Sequence, residues 1–263
     1  MVNLFWTGGW DSTFRLLEVV ILQHKEVQPF YIIDPIRMSA GFELRAMQRI
    51  KKQLFEEYPE TKELVLPTRY QELSSVPEVS QLHECFYRLR EEVPLGEQYK
   101  WLAYFADSQN FRQLEVSSHP STGVTNEFLD KFMREIESEG ELNYEIDQKY
   151  SGTDVYEVFK YFRFPVFRRS KIRMHEIAQE HGFDHLLKHT WFCHHPTSKG
   201  IPCGGCIPCV VTLEDGLKHR FPRSSRIRYT FRKILVRDRF REAFPFLYKV
   251  LRSLKGAVKS KTG

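Results

Sequence analysis

The chain has 263 residues, 41% hydrophobic and 28% charged, with a formal net charge of +5. This is ordinary globular composition, at a length suiting one large α/β domain with an appendage or two small domains. No apolar run approaches the ~18 residues of a membrane span, and no basic region followed by an apolar stretch opens the chain, so neither a spanning helix nor a secretory leader is expected and a cytoplasmic location is the default.

Residues 2–6 are a short apolar run, the pattern of a buried strand. Phe14, Leu17, Val20 and Ile21 are spaced for one face of a helix over 11–24. "VQPFYIID", 27–34, reads as a second strand. Helical spacing returns over 43–58 through Leu44, Met47, Ile50 and Leu54, and ends before Pro59. "KELVLP", 62–67, is assigned as a third strand. Helices are expected over 81–92, closed by Pro94, and over 96–108, with Tyr99, Leu102, Ala103 and Ala106 inward. "RQLEVS", 112–117, reads as a fourth strand. Strands alternating with helices predict a three-layer α/β fold around a parallel sheet.

Beyond residue 120 the pattern is less regular. Residues 125–139 read as a charged helix, 140–160 fit no single pattern, and "YFRFPVF", 161–167, is a short extended piece. A helix is expected over 171–181, with Gly182 as its C-cap. The charge is uneven: residues 218–263 hold 15 Lys/Arg against two acidic residues, and the remainder holds 24 against 32. Within this basic extension residues 239–254 could form a helix interrupted by Pro245, and the final "KGAVKSKTG" is expected to fray.

Two stretches carry chemistry. The first is "WTGGWDST", 6–13, directly after the first strand. A Gly-Gly pair there lets backbone N–H groups point outward, and the following helix presents its positive end. The pair is either an anion cradle or a tight turn with Asp11 or Ser12 as N-cap. It is neither a Walker loop nor a dinucleotide fingerprint, because the spacing of both is absent.

The second stretch is "WFCHHPTSKGIPCGGCIPCVV", in which Cys193 precedes Cys203, Cys206 and Cys209. Four thiols crowded this closely in a reducing compartment match a tetrahedral structural zinc. A redox Cys-x-x-Cys is the competing reading, and it leaves the other two cysteines unexplained. His194 and His195 are either a substitute ligand or a surface pair. A closed four-thiolate site has no open position for water, so the metal is expected to hold loops together rather than to catalyse. Cys85 stands alone and is expected to pack in a helix interface.

The glycine stretch resembles the Ser-Gly-Gly-x-Asp-Ser loop of the PP-loop ATP pyrophosphatases, with Thr7 in place of the first serine. Together with Pro165, Lys171, Thr190, Trp191, Cys193, Cys203, Gly204, Cys206 and Cys209, it resembles the 7-cyano-7-deazaguanine synthase family of those enzymes, over roughly residues 2–217. The resemblance implies an adenine nucleotide alpha hydrolase-like fold with a PP-loop ATP-binding domain (1–190), a zinc-binding motif (191–217) and a basic helical extension (218–263). It implies that Thr7, Gly8, Gly9, Asp11, Ser12 and Thr13 surround the ATP pyrophosphate, with Asp11 near Mg²⁺, and that Asp34 and Arg37 lie beside adenine and ribose. Asp11, Ser12 and Lys171 are the implied catalytic groups, with one of Arg163, Arg168 or Arg169 assisting at the phosphates.

The implied reaction is ATP-dependent adenylation of a carboxylate, amidation by ammonia and, in the synthases, dehydration to a nitrile. Two departures bear on the acceptor. Glu97-Gln98 stand where the family has Arg-Asn, and "EVSSHPSTGVTNEF" has no equivalent of its Tyr-Pro-Asp-Cys-like segment. The ATP chemistry therefore carries over better than the deazapurine acid, and a different acceptor is open. The basic extension, where arginines interleave with aromatics, suits nucleic acid, an anionic membrane surface, or the acidic body of its own chain or a partner. Nucleic-acid binding or RNA modification is thus the alternative function, and a homodimer is among the open partners.

Overall fold

In the computed structural model, residues 1–118, 124–138 and 140–236 are described. The chain divides into two compact units, Met1–His194 and His195–Gly263. The first begins with β1 (Val2–Phe5), then α1 (Trp10–Leu17), which runs on through a π-helical turn, Glu18–Leu22. Next come β2 (Val27–Ile33), α2 (Ala40–Glu57), α3 (Thr61–Leu64), β3 (Arg69–Glu72), α4 (Ser80–Glu92), α5 (Gln98–Ser108) and β4 (Leu114–Val116). The unit continues with α6 (Val124–Asp130), β5 (Met133–Ser138), β6 (Glu141–Ile146), α7 (Asp154–Phe159), β7 (Phe162–Arg163), α8 (Lys171–Glu180) and α9 (Asp184–Leu187).

Five strands form one sheet in the order β3-β2-β1-β4-β7, and every pairing is parallel. β1 is central, with Phe5 opposite Phe30 of β2 and Val116 of β4. Side chains alternate across the sheet. Phe5, Phe30 and Ile32 join one core with Phe86 of α4, Phe105 of α5 and Phe159 of α7. Leu4, Trp6 and Tyr31 are buried outside that core: the Trp6 indole donates to Thr13 of α1 at 3.0 Å, and the Tyr31 hydroxyl donates to Glu43 of α2 at 2.9 Å. Helices α1 and α2 pack in turn against α9. Burying one such aromatic is worth roughly 1.5–3 kcal/mol.

Polar groups also cross this unit. Arg15 is only 3% exposed and reaches Glu115 of β4 through Nε at 2.7 Å and Nη2 at 2.9 Å. It also donates to Glu18 at 2.8 Å and Glu141 at 3.1 Å. Lys25 reaches Glu141 at 2.6 Å, and Arg169 pairs with Glu18. Burial by itself would favour loss of the Arg15 proton; Glu115 and Glu18 outweigh it and hold Arg15 above its ordinary range.

Two expectations need correction. Residues 62–67 are no strand: α3 occupies Thr61–Leu64, and Val65 makes an isolated bridge to Val27. The strand beside β2 is the polar Arg69–Glu72, whose outer edge faces no partner strand among the described residues and needs no apolar pattern. The helix expected over 125–139 stops at Asp130, and Met133–Ser138 pairs antiparallel with Glu141–Ile146 around Gly140, at φ +78°. Pairing with the alternating Leu142, Tyr144 and Ile146 decides that segment. By contrast, α8 starts under a Ser170 cap that accepts from the Arg173 amide at 3.1 Å and is followed by Gly182 at φ +78°.

The second unit contains α10 (Ile207–Glu214) and α11 (Arg223–Val236). The helix expected at 239–254 and the fraying expected at the chain end lie outside the described residues.

Candidate functional site

In a parallel sheet of this order the chain leaves β1 toward β2 on one side and leaves β4 toward β7 on the other. The carboxyl ends of β1 and β4 therefore flank a crevice of the kind in which α/β proteins bind ligands. The glycine pair stands at the carboxyl end of β1. Gly8 has φ +67°, and a Cβ there would meet Glu43 O and Met47 Cγ at 3.0 Å. Glycine is required at this point by both the left-handed backbone and the close passage of α2. Gly9 is extended and precedes α1, whose first turn contains Asp11, and the Thr13 amide closes that turn on Gly9 O at 3.0 Å.

The loop is held by long bonds. The Gly9 amide donates to Thr7 Oγ1 and the Thr7 amide to Ser12 Oγ, both at 3.3 Å. The two hydroxyls lie 3.4 Å apart. These distances exceed the usual 2.9–3.0 Å of an N–H···O bond, so an anionic acceptor would compete well for the same protons. Ser12 is buried against this loop, whereas Thr13 is fully buried with its hydroxyl engaged by Trp6. Thr13 therefore acts on the loop from beneath, by fixing Trp6.

A second group of residues adjoins Gly8. Glu43 is 4% exposed and accepts from Ser39 Oγ at 2.8 Å, Tyr31 at 2.9 Å and Arg37 at 3.1 Å. Burial, then the Glu43 charge, pushes the Tyr31 phenol well above its ordinary range, so it stays a donor. Arg37 also donates to His194 Nε2 at 2.9 Å. Asp34 caps the turn after β2, accepting from the Ile36 amide at 3.1 Å. Asp34 and Arg37 are thus brought to the carboxyl end of β2, the strand beside β1.

The segment before the first cysteine reaches the loop as well. The Trp191 amide donates to Gly8 O at 2.9 Å, and its ring stacks on Phe42 at 4.6 Å. Lys171 is buried at the start of α8 and lies one turn before His175, whose ring meets Trp10 at 5.9 Å. The same helix face therefore points toward the first turn of α1. The assisting arginines are committed elsewhere: Arg168 pairs with Asp130 and Glu135, Arg169 with Glu18, and Arg163 lies 3.6 Å from Glu145. Sequence reasoning missed Ser117, which follows β4 and whose buried hydroxyl has no partner among the described residues. No local motif marks it; only the strand order brings it to the crevice.

The Sγ atoms of Cys193, Cys203, Cys206 and Cys209 lie within 4.8 Å of one another, and the cluster can hold a metal ion such as zinc. The Gly205 and Cys206 amides donate to Cys203 Sγ at 3.3 and 3.2 Å. Gly204 has φ +74°, and a Cβ there would lie 2.1 Å from Ser225 O, so this turn admits no side chain. Cys85 is apart from the cluster, on α4, where burial, then Asp154, pushes its thiol up to about 11. No helix among the described residues is long and apolar enough to cross a membrane. Comparison of the chain with protein-family models and with curated proteins finds no match.

Proposed function

We propose that the β1–α1 loop holds the phosphates of ATP and that the protein adenylates a substrate carboxylate, then forms an amide with ammonia, in the manner of the 7-cyano-7-deazaguanine synthases its motifs resemble. The observation that carries this reading is the left-handed Gly8 with its weakly bonded flanking amides, at the carboxyl end of the central strand where the sheet order reverses. A carboxylate oxygen would attack the α-phosphorus of ATP, breaking the bond to the bridging oxygen and releasing pyrophosphate. Ammonia would then add to the acyl carbon and expel AMP, with one proton released. A second ATP-dependent round would dehydrate the amide to a nitrile.

The chain's own part is positioning and charge neutralisation. The amides of Gly8 and Gly9 and the hydroxyls of Thr7 and Ser12 would hold the departing pyrophosphate. Lys171 would place a positive charge at the same end of the sheet. Asp11 would hold Mg²⁺, which when bound neutralises phosphate charge. Arg37, held by Glu43, and Asp34 would bind the nucleoside. Ser117 would donate to the acceptor from the β4 side. Zinc on Cys193, Cys203, Cys206 and Cys209 would hold the loops that carry these thiols rather than take part in the chemistry.

ATP–pyrophosphate exchange tests the first half-reaction, with Asp11→Ala expected to abolish it. Formation of AMP from ATP, 7-carboxy-7-deazaguanine and ammonia tests the acceptor. Absence of any calorimetric Mg-ATP binding by folded, zinc-loaded protein overturns the proposal.

A further inference from the structure

The second unit carries a surface that the adenylation reading does not use. Helix α11 has two unlike faces. Its inner face is tied down within that unit: Ser225 is fully buried, Arg228 Nε donates to Cys203 O at 2.7 Å, and the Tyr229 hydroxyl donates to Glu214 of α10 at 2.9 Å. Its outer face carries Arg223, Arg226, Ile227, Thr230 and Phe231. Their spacing of three and four residues makes one continuous stripe.

Two features of this stripe stand together. The guanidinium groups of Arg223 and Arg226 have no carboxylate or hydrogen-bond partner among the described residues, whereas those of Arg15, Arg37, Arg88, Arg134, Arg168 and Arg173 are paired. Ile227 and Phe231 are 47% and 63% exposed beside those charges. Unneutralised guanidinium groups call for a polyanion, and an aromatic ring left in water calls for a flat apolar partner.

We propose that the outer face of α11 binds single-stranded nucleic acid, with Arg223 and Arg226 on phosphates and Phe231 stacked on an unpaired base. A duplex hides its base faces, so the ring favours a single strand. A membrane helix lying in the headgroup layer needs a broad apolar face, and this stripe offers two apolar side chains. The charge does not end at α11: residues 237–263 add eight Lys/Arg in sequence. Arginine contacts to phosphate release counterions, so binding weakens with salt in proportion to the contacts made.

The test uses the full chain and a labelled 20-nucleotide oligouridylate, with affinity measured by anisotropy across a salt series. Arg223→Ala/Arg226→Ala is expected to reduce the slope of log K against log salt by about 1.4, at ~0.7 per single-strand phosphate contact. Phe231→Ala is expected to weaken binding roughly five- to a hundred-fold with the salt slope unchanged. All three residues are exposed, and an unchanged unfolding midpoint separates a lost contact from a lost fold. No binding at low salt, affinity and slope unchanged in the variants, or capture of anionic phosphatidylserine vesicles in place of the oligonucleotide would each overturn the proposal.

Discussion

Gly8 offers the sharpest perturbation of the loop. Alanine there must adopt φ +67°, a left-handed conformation costing roughly 1–2 kcal/mol for a residue with a Cβ. The new methyl would also sit 3.0 Å from Glu43 O and Met47 Cγ and 3.3 Å from Met47 N. Two of these atoms are backbone of α2, which can yield only by moving the helix; overpacking of this kind costs typically 1–3 kcal/mol. Gly8→Ala is therefore expected to destabilise the fold by about 2–5 kcal/mol. Gly9 is the internal control. Its φ of −77° suits alanine, and its Cβ would meet the Thr7 hydroxyl at 3.2 Å and Trp191 O at 3.6 Å. Gly9→Ala is expected to stay within ~1 kcal/mol of the natural chain, because stiffening the unfolded chain offsets the local crowding. Urea unfolding followed by tryptophan fluorescence measures both. If Gly8→Ala unfolds at the same urea concentration as Gly9→Ala, the left-handed loop and its contact with α2 are wrong.

Glu115→Ala strips the buried Arg15 of its two-bond partner and is expected to cost ~3–5 kcal/mol, read as a shift in the urea midpoint; a shift under 1 kcal/mol would mean Glu18 and Glu141 suffice. Acid stability should reflect Glu141: burial alone would raise its carboxyl, but hydrogen bonds from Lys25 and Arg15 outweigh that and hold it below the usual glutamate range. A depressed folded-state value contributes stability that is present above the unfolded value, about 4.3, and is lost as pH falls through the folded one. Unfolding midpoints between pH 6 and pH 2 should therefore fall less steeply in Glu141→Gln than in the natural chain. Metal analysis should find one zinc per chain, and Cys209→Ala should lose it and lower the thermal midpoint; a zinc-free protein with an unchanged midpoint would remove the metal from the fold. Because its thiol sits near 11, Cys85 should resist iodoacetamide at pH 8 while the chain is folded and react once it is unfolded.

Some of this was legible from residues near each other in the chain. The short apolar runs at β1 and β2 and the periodic stripes of α2 and α5 are written locally, and such local patterns are enough when the segment is buried. The glycine turn was visible as a backbone needing an absent Cβ, although which glycine is left-handed was not. The four thiols were visible because three of them recur at every third residue, and short spacing alone brings Cys203, Cys206 and Cys209 together. Edge strand β3 is not legible because "RYQE" has no apolar pattern, and the charges of β5 suit helix and strand alike.

The sequence by itself therefore determined the alternating α/β plan, the bare turn after the first strand and the sulfur cluster, because each is a constraint between near neighbours along the backbone. Tertiary structure alone decided that Arg15 meets Glu115, that Arg37 is held between Glu43 and His194, that Trp191 closes on Gly8, and that Ser117 follows the strand beside β1. Those contacts join residues far apart in the chain, and the energy of a buried charge or an edge strand depends on what the fold brings beside it.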